Sequence, residues 1–268
     1  MTARVRSALF VPASRPELAA KAPRSGPGAV ILDLEDAVPA AEKDAARAAL
    51  PEAVAAVDGA APVWVRVNPP GTEWHEADLA AVPAEVAAVV VPKLDDPAAV
   101  AAVAAALGDR PIVAGIETVR GVLDARAVLV PPVVGCYFGA EDYVADLGRV
   151  RTASNAEVAQ ARALVAMAAR VAGVAALDMV TIDFRDDARF LAEAREARAL
   201  GFAGKACIHP AQVPLAHEAF RPTAEEVAWA EGRAAAYEAA EGRTIAYEGQ
   251  MVDEVVAVRA RAILAAAA

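Results

Sequence analysis

Two cysteines and three histidines are all the thiol and imidazole this chain of 268 residues contains. Cys136 and Cys207 lie far apart, each inside an apolar strand-like segment, so the expectation is two free buried thiols and no disulfide. His75, His209 and His217 have no CxxC pair to join them, which disfavours zinc. Positive charge is also short: 26 Lys and Arg face 36 Asp and Glu, a formal net charge of −10. Such a surface repels a phosphate backbone, so nucleic acid is not an expected partner. Long uncharged apolar runs are missing too. The longest, AVLVPPVVGCYFGA, is broken by Pro131 and Pro132 and falls short of the roughly 18 residues a spanning helix needs. The N-terminal MTARVRSALFVPA carries Arg4 and Arg6, but its apolar run is too short for a secretory signal. These absences together read as a cytoplasmic protein with no membrane partner.

What the chain has in quantity is alanine, which accounts for much of its 57% hydrophobic fraction and suits helix surface and core alike. Eight short apolar segments rich in β-branched residues recur between alanine-rich stretches. They are SALFVPA (7–13), GAVILDLED (28–36), VWVRVN (63–68), VAAVVVPKL (86–94), RPIVAGIET (110–118), VVGCYFGAED (133–142), ALDMVTID (176–183) and GKACIHP (204–210). The intervening stretches, such as AAEKDAARAALPEAVAAV, carry charges at helical spacing. Alternating strands and helices with near-continuous apolar strands predict a parallel sheet buried on both faces, and eight units fit an α/β fold, the (β/α)8 barrel. A doubly wound open sheet is the rival, because periodicity cannot show closure; it would usually need a GxGxxG after the first strand, and none is present. The expected division is a catalytic barrel over 1–214 and a helical extension over 215–268 that carries EGQMVD.

In a barrel, ligands bind where the strands end. Strand two ends in Glu35 and Asp36, strand three in Arg66 and Asn68, strand four in Lys93, strand five in Glu117, strand six in Glu141 and Asp142, and strand seven in Asp183. Carboxylates converging on one mouth repel each other and raise each other's pKa unless a cation sits among them. An all-oxygen set with room for water and substrate suits Mg²⁺ or Mn²⁺. Glu117 and Asp142 are the expected ligands, with Glu35 and Asp36 orienting the groups around them. Helix N-capping is the competing account of acids at strand ends, and it fits Asp36 or Asp183 taken singly. Arg66, on an apolar strand, is read as a clamp on a substrate oxygen, against an ion pair with Glu35 or Glu117. Gly139 and Ala140 leave room for backbone N–H groups near Glu141 to meet a substrate carboxylate. Arg15, Lys21 and Arg24 form a local basic cluster able to hold phosphates, or else a solvated helix face. Lys93 and Lys205 leave open a Schiff-base aldolase.

RSALFVPASRPE, VILDLEDAV with EKDAAR, WVRVN, VVVPKL, GIETVRGVLDAR, FGAEDYVADLG, GFAGKACIHPAQ and YEGQMVD together resemble the citrate lyase β-subunit-like group of the HpcH/HpaI aldolase superfamily, which includes malyl-CoA and citramalyl-CoA lyases. The resemblance spans nearly the whole chain. It implies a Mg²⁺-dependent carbon–carbon lyase acting between a 2-oxo acid and a CoA thioester, built as a homotrimer or hexamer. It also implies metal ligation by Glu117 and Asp142 and substrate activation by Arg66. Asp253 in EGQMVD would serve a neighbouring subunit's site; without the resemblance it reads as a helix N-cap. An acyl carrier protein as partner in a citrate lyase complex, and an aldolase using free aldehydes, are the alternatives. The segments FRDDARF and VRTASNAEV, around Ser154 and Asn155, depart from the group's pattern and leave the substrate's identity open.

Overall fold

The computed structural model describes residues 5–267, so Arg4 lies outside the described residues. All eight apolar segments are strands: β1 (Ser7–Pro12), β2 (Ala29–Asp33), β3 (Val63–Arg66), β4 (Ala88–Val91), β5 (Ile112–Ile116), β6 (Val133–Phe138), β7 (Ala175–Asp178) and β8 (Gly204–Cys207). They pair in sequence order, every pair parallel, and β8 returns to β1 to close the barrel. The connecting helices are α1 (Pro16–Ala19), α2 (Lys43–Ala56), α3 (His75–Ala81), α4 (Pro97–Leu107), α5 (Val119–Leu123), α6 (Ala125–Val128), α7 (Ala140–Asp146), α8 (Ala156–Ala172), α9 (Asp187–Leu200) and α10 (Gln212–Phe220). This is a (β/α)8 barrel, the closed alternative of the two that periodicity allowed.

Local chemistry sets the helix limits. Asp96 accepts from the amide of Ala98 ahead of Pro97 to start α4, and Asp186 accepts from Arg189 N to start α9. Left-handed Gly173 and Gly201 end α8 and α9. The strands are buried almost throughout because helices cover the outside while side chains fill the inside.

Strand alternation decides which residues fill the interior. Ala8, Ala29, Ile31, Trp64, Ala88, Val90, Val113, Tyr137 and Leu177 share one cluster, with the small alanines leaving room for the indole of Trp64. Each fully buried Ile or Val there contributes about 1.5–3 kcal/mol of transfer free energy. Continuing the same parity by two residues along each strand carries Asp33 beyond Ile31, Arg66 beyond Trp64, and Glu117 beyond Val113 and Gly115. The apolar core is therefore continuous with a charged layer above it.

The molecule forms two compact units, Met1–Ala219 and Phe220–Ala268. The boundary expected between 214 and 215 falls within α10. In the second unit α11 (Ala224–Ala239) starts with a capping box between Thr223 and Glu226. An antiparallel hairpin follows, β9 (Ile245–Tyr247) with β10 (Gln250–Val252), and then α12 (Glu254–Ala267). Tyr237, Val252 and Ala257 make its small core, with Ile245, Tyr247 and Val256 packed against them. Among the described residues no helix is long and apolar enough to cross a membrane. Both cysteines are free and buried.

Candidate active site

Register places Asp33 directly beside Arg66 on neighbouring strands. The guanidinium is gripped bidentately, with Nε and Nη2 each donating at 2.7 Å to one oxygen of Asp33, and it lies 4.7 Å over the ring of Phe10. Nη1 is left for Glu35 at 2.9 Å and for the outer Asp36 at 3.4 Å. Burial opposes the charge of Arg66, but the carboxylates of Asp33 and Glu35 outweigh it and raise its pKa further. Asp33 also accepts from the amides of Glu35 and Ala37, which shapes the turn after β2. Lys43 donates to the carbonyls of Leu34 and Glu35, and Asn68 donates to that of Leu34, so the turn is pinned from two further elements.

Glu117, only 1% exposed, follows β5. Its Oε1 accepts from the backbone N–H of Lys93 at 2.9 Å, and its Oε2 from the Tyr137 hydroxyl at 2.8 Å. Two glycines make that placement fit. A side chain at Gly115 would collide with the Tyr137 hydroxyl, and one at Gly139 would collide with the Glu117 carboxylate. The absence of a side chain at Gly139 thus has a reason other than the substrate approach read from sequence; its amide is already bonded to the Ile116 carbonyl. Asp142, in the first turn of α7, is half-buried and faces the same point. Lys93 fills that point: its Nζ lies 3.0 Å from Glu35, 3.1 Å from Asp142 and 4.0 Å from Glu117.

Burial pushes the carboxyl of Glu117 up to about 8, with the charges of Glu35 and Asp142 adding to it, while Lys93 and Arg66 pull the other way. Burial likewise pushes Glu35 up to about 7. Burial lowers the proton affinity of the Lys93 ammonium, but Glu35 and Glu117 reverse this and raise it, which holds it charged and speaks against a Schiff-base amine. Lys205 is fully buried and ion-paired to Asp178 and Glu193, so it too is committed elsewhere.

The layer opens into a cavity of about 390 Å³ whose wall includes Phe10, Asp36, Arg66, Glu117, Tyr137 and Asp142. Gly139, Ala140 and Glu141 line it too, and Glu141 is ion-paired to Arg151. The basic residues read near the first strand stand apart from this wall: Arg15 pairs with Glu17, Lys21 is exposed, and Arg24 lies within a short 3-10 turn. Asp183 does not end β7. The strand stops at Asp178, and exposed Asp183 accepts from the amide of Arg185 in the loop beyond. Ser154 and Asn155 do not line the cavity either. In the second unit, Asp253 accepts from Val256 N at the start of α12, the capping geometry its position suggested.

Reading strand ends missed Asp33 and Tyr137, and it saw Lys93 only as a nucleophile. Counting by twos from Ile31 and from Trp64 would have found Asp33 opposite Arg66. It also missed a buried network behind β7 and β8, where Arg162 is held bidentately by Asp178 and Glu193 is met by Lys205, Thr181, Asn155 and Arg189. Burial alone would raise Glu193, but the Lys205 charge and the hydrogen bonds from Thr181 and Asn155 hold it at about 2. Its folded value lies below the ordinary 4.5, so its contribution is complete above pH 4.5 and is lost as pH falls toward 2. Replacing Glu193 with Gln is therefore expected to cost about 2–3 kcal/mol near neutral pH, with the gap to the parent closing below 4.5. Urea melts of both proteins across that range check the sign; a gap that widens in acid would refute it.

Among the described residues no three His, Cys, Asp or Glu side chains converge into a metal site by themselves. Two do so with a stand-in. The Lys93 ammonium lies between Glu117 and Asp142, and both carboxylates line the cavity, which fits an ion taking two protein carboxylates and completing its shell with water and substrate oxygens.

Comparison with known proteins agrees in fold and in family. The HpcH/HpaI aldolase/citrate lyase family matches residues 6–210. A citrate lyase subunit beta-like protein of Deinococcus radiodurans is 48% identical, covering 97% of this chain and 96% of its own. A (3S)-malyl-CoA thioesterase of Cereibacter sphaeroides is 37% identical over 98% of this chain and 94% of its own. The crystal structure of CitE from Mycobacterium tuberculosis in complex with magnesium, acetoacetate and coenzyme A superposes with a TM-score of 0.88 at 38% identity, covering 100% of this chain and 99% of that one.

Proposed function

The chain belongs to the HpcH/HpaI aldolase/citrate lyase family, and from its geometry we propose that it is a Mg²⁺-dependent lyase that cleaves a 3-hydroxyacyl-CoA into an acyl-CoA and a 2-oxo acid, reversibly. The observation that carries this reading is the convergence of Glu117 and Asp142 on one cation position at a cavity that Arg66 also lines. Glu117 and Asp142 would hold the ion, with Mn²⁺ an acceptable substitute. Bound there, it would supply Lewis-acid polarisation and a template for two substrate oxygens.

The chain's own groups account for the rest. The substrate's hydroxyl gives up its proton to water; as the C2–C3 bond then breaks, the carbon that bore the hydroxyl becomes the carbonyl of the 2-oxo acid and the bonding pair passes into a thioester enolate. Nη1 of Arg66 is the donor left over from Asp33, and it meets the oxyanion. Glu35 and Asp36 share that nitrogen and hold it toward the cavity in the free protein. Asp253, from a neighbouring copy in a trimer or hexamer, delivers the proton to the enolate carbon or removes it in the condensation direction. The amides of Ala140 and Glu141, beyond the Gly139 amide that Ile116 takes, are offered to the oxo-acid carboxylate, and Arg15, Lys21 and Arg24 offer charge to the phosphates of the carrier.

The test is incubation of the purified protein with acetyl-CoA or propionyl-CoA and glyoxylate, pyruvate or oxaloacetate, with Mg²⁺ or with EDTA, followed by mass spectrometry. A hydroxyacyl-CoA formed only with Mg²⁺ is the expected result and names the substrate pair. No product from any mixture, with metal bound, would transfer the proposal to an acyl carrier protein thioester or a free aldehyde. Release of free CoA from malyl-CoA with malate left intact would favour thioester hydrolysis, the activity named for the Cereibacter sphaeroides relative.

A further inference from the structure

Lys93 is the one cationic side chain that touches both expected ligands among the described residues, and its conformation is unusual. The backbone takes φ +52°, a left-handed value that costs a residue with a side chain something and is kept where the surroundings demand it. The consequence is that backbone and side chain address the same carboxylates. The N–H donates to Glu117 Oε1 at 2.9 Å, while the ammonium bridges Glu35 and Asp142. Positioning of Glu117 and neutralisation of the cluster are thus assigned to different parts of one residue.

We propose that Lys93 is a built-in counter-cation, which holds Glu35, Glu117 and Asp142 together in the metal-free protein and is exchanged for the divalent ion when that ion binds. The inference rests on the metal reading above and extends it. Three carboxylates around one half-buried point need positive charge, and of the three Arg66 reaches only Glu35. One ammonium serves while the ion is absent. A divalent ion held by Glu117 and Asp142 would lie close to the ammonium that now pairs with them, and two cations so near each other repel. The lysine is equipped to leave, because its side chain is one-third exposed and its four-carbon stem is flexible. When the ammonium swings away, the backbone N–H keeps Glu117 in place, so the ligand stays preorganised. Lys93 therefore acts as a positioning residue in the empty site and as a competitor of the ion, and it sets the Mg²⁺ concentration at which the site fills.

The sign of this effect separates it from a purely supportive role. A residue that only braces the ligands weakens metal binding when removed, whereas a competitor strengthens it. Titration calorimetry with MgCl₂ and thermal melts in EDTA and in Mg²⁺ would be run on the parent, Lys93→Met, Lys93→Asn and Lys93→Arg. Lys93→Asn is included because asparagine tolerates the left-handed backbone if the methionine variant fails to fold. The uncharged variants are expected to bind Mg²⁺ about tenfold more tightly, to melt lower without metal and to gain more from its addition. Lys93→Arg, which keeps the charge, is expected to stay close to the parent. Unchanged or weaker Mg²⁺ binding by a folded uncharged variant would overturn the proposal. A parent protein that binds no Mg²⁺ would instead defeat the metal reading itself, an outcome visible before any variant is compared.

Discussion

Glu117→Gln is expected to abolish Mg²⁺ binding by calorimetry and to reduce lyase turnover by roughly a thousandfold, the rate equivalent of the several kcal/mol that a Lewis-acid ion supplies. The substitution is the smallest that removes the charge. Its amide oxygen can still accept from the Lys93 N–H, and the Tyr137 hydroxyl can turn to accept from the new NH₂. The barrel should keep its melting temperature without metal, because a carboxyl pushed up to about 8 by burial and by its neighbours is poorly accommodated as an anion. A destroyed fold would therefore contradict this account as surely as retained metal binding would. Asp142→Asn, at a half-buried position whose carboxylate pairs with Lys93, should behave in the same way with less effect on stability.

The strands were legible because their signal is local: a run of Val, Ile, Leu and Ala between turns reads as a buried parallel strand whatever lies beside it. Closure was legible only as a count of eight, since nothing in one strand says that β8 must bond β1. The acids and Arg66 were legible as residues that do not belong on apolar strands. Their partners were not. Whether Arg66 meets Asp33 or Glu35 depends on strand register, which short parallel pairs set through packing across the whole barrel. Asp33 looked like a residue of the strand's end, and only its position opposite Arg66 makes it the anchor. Lys93 carried no sign of its left-handed backbone, because glycine or asparagine is the residue that usually announces one. The end of strand seven was placed too late, at Asp183, because ALDMVTID reads as one strand, while the chain leaves the sheet at Asp178, whose carboxylate is taken by Arg162 and Lys205.

Arg66→Lys is the second large effect, and it asks whether the guanidinium is there to hold the fold or to act on a substrate. A structural role is plain. Asp33 and Glu35 are almost fully buried, and removing their partner outright, as in Arg66→Met, would leave uncompensated charge at a cost of about 3–5 kcal/mol. Lysine separates the two roles. Its ammonium can satisfy Asp33 from within the barrel and so preserve most of the stability, but a single point charge cannot grip Asp33 with two nitrogens and offer a third to the cavity. The expected result is a protein that binds Mg²⁺ nearly as the parent does and melts within about 5 °C of it. Its kcat should fall by about two to three orders of magnitude, the size seen when one preorganised oxyanion donor is removed, with little change in KM. Near-parental kcat in the Arg66→Lys variant would show that the third nitrogen of Arg66 serves only Glu35 and Asp36. In that case the enolate oxygen must be met by another donor in the cavity wall, and the Tyr137 hydroxyl, now turned toward Glu117, would be the group to test next.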